Sequence, residues 1–353
     1  MTSMVDLDLE FVKSQFPAFS EPSLADWHFF ENAGGSYACG AVIERLNRYY
    51  RQTKMQPYGP ATASRRAGEQ MDEARARWAN YLNTAREEIH FGPSTTQNTY
   101  VLAQAFRTNW KEGDEIVVTD QDHEANIGAW RRLADTGIVV RQWSADAESG
   151  ELDVAALASL LNERTQLVAC THCSNVVASP NPIPQIADLV HAAGAQLVVD
   201  SVAYAPHALP DLATLGADIY LFSLYKVFGP HQGLMYISQA TMNGLANQGH
   251  YFNDSVASKR MVPAGPDHAQ IAAAAGVIDY FEAIDLHHFG AEADSAARRE
   301  RVSDLFRKTE KVRLEPLMKY LTGRGVRVLG PTDSDHRMPT VSMAVNDPRA
   351  HCR

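Results

Sequence analysis

Residues 219–237, Ile-Tyr-Leu-Phe-Ser-Leu-Tyr-Lys-Val-Phe-Gly-Pro-His-Gln-Gly-Leu-Met-Tyr-Ile, place one lysine, Lys226, in a tight turn between two apolar runs. Ile219 to Phe222 and Leu234 to Ile237 are short and rich in branched and aromatic side chains, and Gly229, Pro230 and Gly233 break the chain between them. That pattern predicts two buried strands joined by a loop. A lysine held there loses solvation, which disfavours the ammonium form and leaves an amine able to attack a carbonyl. Such an amine can form a Schiff base with an aldehyde. Taken alone, a strand-edge lysine is more often a solvated surface charge, so the reading depends on what other stretches bring to it.

Outward from this turn the pattern is regular. Apolar strand candidates fall at 116–119, 138–143, 167–171 and 197–200, with helical segments at 125–135, 153–162 and 183–193. Strands alternating with helices predict an α/β fold with a largely parallel sheet covered on both faces. In such sheets ligands gather at the carboxyl ends of the strands. Towards the N-terminus, Asp6 to Phe16, Ala41 to Tyr50 and Gln70 to Leu82 have helical spacing, and Phe29 to Ser36 reads as a brief strand entering a glycine turn that lets backbone approach a ligand. Beyond Ser238 the alternation fades. Gln270 to Ile284 predicts an Ala-rich helix, Ala291 to Leu321 one or two long helices, Pro339 to Val345 a strand, and Asp347 to Ala350 a helix start.

Four strand ends carry chemistry. Gly92-Pro-Ser-Thr-Thr-Gln-Asn98 follows an apolar run and opens a helix, where free N–H groups and small hydroxyls suit a phosphate; a Ser/Thr helix cap without a ligand reads the same way. Val198-Val-Asp-Ser201 ends a strand with a carboxylate, which is costly there unless paired; a pyridinium N–H is one partner and a helix N-cap another. His123, in Asp120-Gln-Asp-His-Glu-Ala-Asn126, can stack on a flat ring or relay protons. Asn175 can donate to a ligand oxygen. The Asp-His-Glu grouping has no complementary cluster elsewhere, so no metal is expected. Cys170 and Cys173 have Cys-x-x-Cys spacing within an apolar strand pattern, which reads as buried structural thiols. A dinucleotide fold lacks its Gly-x-Gly-x-x-Gly signature.

Composition narrows the class. The chain has 353 residues, 45% hydrophobic and 21% charged, enough for one large domain with a smaller one. A formal net charge of −10 without a basic run gives no electrostatic support to nucleic-acid or membrane binding. Four scattered cysteines suggest a reducing compartment, and the acidic N-terminus has no signal-like apolar core, so a cytoplasmic, soluble protein is expected.

Asp200 to His207 and Ser223 to His231, with Asp122-His-Glu-Ala-Asn126 and Thr95-Thr96, resemble the class V aminotransferase and cysteine desulfurase family of pyridoxal phosphate enzymes. The likeness runs from Phe30-Glu-Asn-Ala-Gly-Gly35 to Pro339-Thr-Val-Ser342, and the Tyr225-Lys226 variant points to the desulfurase-like subgroup. It implies a fold type I transferase, with a large cofactor-binding domain over 31–258 and a smaller α+β domain from 1–30 and 259–353. It implies pyridoxal 5'-phosphate carried on Lys226 as a Schiff base, Asp200 on the pyridine nitrogen, and His123 stacked on the ring. Asn175 would meet the phenolic oxygen, and Thr95, Thr96 and Ser223 the phosphate. A small amino-acid substrate, a homodimer and a sulfur acceptor follow from the same likeness.

Two positions depart from the family's pattern. Ala203 stands where relatives place Gln or His beside the cofactor, and Tyr225 where many desulfurases have a phosphate-contacting histidine. Cys352 follows the last strand too soon to be a desulfurase nucleophile. The family's smaller domain normally continues past this point and supplies a carboxylate-binding arginine, whose position neither Arg337 nor Arg349 matches, so the smaller domain is expected to be cut short or the sequence to be a fragment. The expected activity is cysteine desulfurase-like C–S cleavage, with transamination or epimerisation as the alternative. A non-catalytic protein keeping the fold is a third reading.

Overall fold

The computed structural model describes residues 5–291 and 293–345. Seven strands form the main sheet: β1 (Ile89–Gly92), β2 (Glu115–Thr119), β3 (Val139–Trp143), β4 (Thr165–Thr171), β5 (Gln196–Asp200), β6 (Ile219–Ser223) and β7 (Gly233–Ile237). Their order is β1-β7-β6-β5-β4-β2-β3. Neighbours from β6 to β3 pair parallel, while β7 runs antiparallel to both β6 and β1. The sheet is therefore largely parallel, as the alternation predicts.

Strand periodicity explains how both faces are covered. Successive side chains point to opposite faces, so Tyr220 and Phe222 join one core cluster with Val168, Val199 and Trp78. Ile219 and Leu221 join the other, with Leu167, Val198, Phe106 and Trp130. Because β2, β4, β5 and β6 are buried on both sides, their carboxyl ends are held rigidly along one edge. That edge carries the site.

The first glycine of β7 sets how closely the helix Thr95–Arg107 approaches. A Cβ on Gly233 would lie 2.6 Å from the Thr95 backbone nitrogen, and Asn98 Nδ2 donates to the Gly233 carbonyl at 3.2 Å. Any side chain there would push the helix N-terminus off the sheet.

Several local expectations shift. The helix expected over 6–16 covers only Leu9–Ser14, because Asp8 caps it from the Glu10 and Phe11 N–H groups and Pro17 starts a separate 3-10 turn. Phe29 to Glu31 pairs with no strand, and Phe30 is 92% exposed. β1 is a true strand, although its four residues are too short for a periodic signal. The Ala-rich helix breaks at Ala274 into His268–Ala273 and Ala275–Phe289, and the long helix is a single span, Ser295–Gly323. Of 339–345 only Met343–Ala344 (β9) pairs, with Arg327–Val328 (β8). Arg337 instead turns inward, fully buried, and its guanidinium donates to the carbonyls of Pro331 and Thr340 at 2.6 Å each, tying residues 331–340 into a loop. The helix start at 347–350, Arg349 and Cys352 lie outside the described residues. No described helix is long and apolar enough to cross a membrane.

Candidate active site

A cavity of about 350 Å³ opens at the carboxyl edge of the sheet, and Thr95, Thr96, His123, Asn175, Asp200, Ser223 and Lys226 all line it. Residues up to 131 positions apart in sequence thus meet because the carboxyl ends of β1, β2, β4, β5 and β6 lie along one edge of the sheet. Ala33, Gly34, Thr171, Cys173, Val202, Ala203 and Tyr225 complete the wall.

Lys226 closes the short 3-10 turn Leu224–Lys226 directly after β6. Its amine donates to the Ala33 carbonyl at 2.6 Å. Burial holds its pKa below the ordinary lysine value, opposed by the negative charge of Asp200. A lysine so placed is easier to deprotonate, which nucleophilic attack requires.

Asp200 ends β5 at 4% exposure. The Val202 N–H donates to Oδ1 at 2.8 Å, whereas Oδ2 is buried without a partner among the described residues. Burial raises its pKa to about 6, with His123 and Lys226 pulling the other way. An unpaired buried carboxylate oxygen facing a cavity calls for a cationic N–H donor. His123 caps the helix Glu124–Arg131, and its Nδ1 accepts the Ala125 N–H at 3.0 Å, which fixes the ring and leaves Nε2 as the protonated nitrogen.

At the other end, Thr95 Oγ1 and Ser223 Oγ lie 2.7 Å apart beside the first turn of the helix Thr95–Arg107. Helix N-terminal N–H groups with two hydroxyls make an anion site. Asn175, in the loop after β4, is exposed toward the cavity. Tyr225 stacks on His231 with ring centroids 4.7 Å apart and planes 3° apart, so it is held at the rim rather than free to swing.

The site also contains groups that motif reading left without a role. Asp122 accepts from the Thr119 hydroxyl and from Asn126 Nδ2 at 2.9 Å, bracing the loop that presents His123, and burial pushes its carboxyl up to about 7. Only the fold could show that these side chains converge. The Ala33 carbonyl is a backbone group, invisible to any reading by side-chain chemistry. Cys170 and Cys173 are both buried free thiols, as expected, yet Cys173 also lines the cavity. Its thiol is pushed up to about 12 by burial, so it is no thiolate at neutral pH. Among the described residues, no group of three or more His, Cys, Asp and Glu is arranged to hold a metal ion.

The Lys226 amine, an Asp200 carboxylate with one partnerless oxygen and two hydroxyls at a helix N-terminus line one cavity on a largely parallel sheet, the set of groups that a pyridoxal phosphate site would need. The chain belongs to the class-V aminotransferase family, whose model matches residues 28–319. It is 36% identical over 355 residues to the aminotransferase-like protein FGM3 of Gibberella zeae, covering 97% of this chain and 83% of that one. It is 30% identical over 302 residues to a cysteine desulfurase of Yersinia pestis, covering 80% and 74%. Its fold matches the apo cysteine desulfurase of Thermococcus onnurineus with a TM-score of 0.81 at 22% identity, over 100% of this chain and 85% of that one. The fold is fold type I and the cofactor is pyridoxal 5'-phosphate.

Proposed function

We propose that the protein cleaves the carbon–sulfur bond of a small amino acid, as a cysteine desulfurase-like enzyme, with Lys226 holding the cofactor covalently. The observation that carries this reading is the pairing, in one cavity, of the Lys226 amine with the partnerless Asp200 Oδ2. When bound, pyridoxal 5'-phosphate supplies a sink for the electrons released when a bond at the substrate's α-carbon breaks. Asp200 would keep a proton on the ring nitrogen and His123 would cover the ring face. Asn175 would donate to the phenolic oxygen, and Thr95, Thr96 and Ser223 would hold the phosphate against the helix N-terminus. Lys226, displaced by the substrate amine, would be the base at the α-carbon.

The relative named as a cysteine desulfurase supports desulfuration. The one named aminotransferase-like supports a second reading, transamination or epimerisation. Incubating the purified chain with cysteine and an excess of a thiol reductant, which takes up the transferred sulfur and frees it as sulfide, should yield alanine and sulfide, and Lys226→Ala should abolish both. Keto-acid formation across an amino-acid panel without sulfide would replace the first reading by the second. Cofactor colour without any turnover would favour a non-catalytic protein. The proposal includes a cytoplasmic homodimer that passes sulfur to an acceptor, with 31–258 as the cofactor-binding domain and 1–30 with 259–353 as the smaller one. Exposed Phe30, Tyr251 and Phe252 are apolar groups that a subunit interface would cover.

A further inference from the structure

The turn that carries Lys226 is not held by its own strands alone. Phe228, two residues on, adopts φ +60°, a left-handed conformation that a bulky side chain rarely takes. Its ring sits among Phe16, Tyr280 and Phe306, with centroids 5.5, 5.4 and 6.3 Å away. Its backbone is tied to a segment almost two hundred residues earlier: the Phe228 N–H donates to Ser36 Oγ at 2.9 Å, and the Cys39 N–H donates to the Phe228 carbonyl at 3.0 Å. On the other side of the lysine, Ser36 Oγ donates to the Tyr225 carbonyl at 3.1 Å, and the Ser36 N–H donates to the same oxygen at 2.9 Å. One hydroxyl therefore spans the lysine, accepting from the residue after the turn and donating to the residue before it. Gly35 lets this segment come close, since a Cβ there would lie 3.1 Å from the Tyr225 ring. Three residues upstream of Ser36, the Ala33 carbonyl receives the lysine amine itself.

We propose that Ser36 is a positioning residue of the active site: its hydroxyl clamps the backbone on both sides of Lys226 and so fixes where the amine is presented to the cofactor. This rests on the reading of Lys226 as the residue that holds the cofactor. The clamp explains why a strained residue is tolerated next to the reactive lysine. Without the Ser36 hydroxyl, the Phe228 N–H loses its acceptor and the Tyr225 carbonyl keeps only one donor, so the turn can relax to another conformation.

The test is to strip the full-length chain of cofactor and titrate it with pyridoxal 5'-phosphate. The readouts are the visible band of the bound cofactor and, after borohydride, the mass of the Lys226 peptide. Losing two hydrogen bonds of ordinary net strength corresponds to roughly a 5- to 150-fold change in an equilibrium constant. Ser36→Ala should weaken cofactor binding within that range and reduce the trapped fraction. Ser36→Thr, which keeps the hydroxyl, should restore both to within about twofold. A Ser36→Ala chain that binds and traps cofactor like the unaltered one, while Lys226→Ala traps none, overturns the clamp and leaves the role of Lys226 standing. If Lys226→Ala still gives the wild-type band and adduct, the reading of Lys226 fails and the clamp with it. Should Ser36→Ala not fold, Ser36→Cys carries the comparison. Weaker binding than Ser36→Thr supports the clamp, because sulfur is a poor hydrogen-bonding partner, and equal binding overturns it.

Discussion

The two ends of the cavity are built on opposite principles. At the hydroxyl end, the Thr95 and Ser223 hydroxyls already bond each other, so neither side chain is left without a partner. At the acid end, Asp200 Oδ2 is buried and partnerless, and burial holds the carboxyl at about 6. The two hydroxyls keep a partner with or without an anion, so losing one of them is expected to cost little. The acid end is destabilised until a cationic donor arrives, so most of the site's demand for its cofactor resides there.

The sharpest break in this comparison comes at neither end but at the bond between them. Lys226→Ala should abolish the borohydride-trapped adduct and reduce turnover to background, measured by peptide mass and sulfide release. At the acid end, Asp200→Ala should lower kcat/KM by roughly 100-fold, the scale of removing one member of a buried charge pair. Cofactor-free stability gives a second reading of that end. The folded pKa of Asp200 is raised from 3.8 to about 6, so between those values the folded chain holds a proton that the unfolded chain has released. Stability contributed by this group is therefore present at low pH and lost as pH rises through that window. Cofactor-free Asp200→Asn should thus become more stable than the parent by up to about 3 kcal/mol above pH 6 and show no advantage near pH 4, measured by denaturant unfolding. A flat difference across that range would mean that Oδ2 is not deprived.

At the hydroxyl end the effects should be smaller. Ser223→Ala should weaken cofactor affinity by about fivefold, the scale of one neutral hydrogen bond, with kcat nearly unchanged at saturating cofactor. A loss as large as that of Asp200→Ala would erase the contrast. The smallest change is expected for Cys173→Ala, with kcat within about twofold of the parent, because a thiol held near 12 supplies no nucleophile at neutral pH. Loss of sulfide release in that variant would place sulfur chemistry on Cys173.

Much of this was legible along the chain for a simple reason. β4, β5 and β6 are continuous apolar runs bounded by turn residues, and the residues that matter are the last of a strand or stand up to four positions beyond it. Asp200, Ser223 and Lys226 stood out because a polar group at the end of a buried run needs a reason to be there. Short-range geometry was less readable. The segment Phe29 to Glu31 looks like a strand by composition, yet it pairs with none of the described strands. Pro339 to Val345 looks like one too, but the buried Arg337 guanidinium draws the neighbouring carbonyls inward and leaves a two-residue ladder. At this second segment tertiary hydrogen bonding overrode local propensity.

The order of strands and helices, the apolar faces and the residue types at the strand ends follow from the chain itself, because periodicity and burial are properties of neighbours in sequence. What the fold alone decided is which of those residues face one another. Ser36 reaches both sides of Lys226, Ala33 receives its amine, and Asp200 keeps one oxygen free of any partner. Contacts of this kind join segments up to 193 residues apart, and several run through backbone atoms that every residue shares, so no local pattern encodes them.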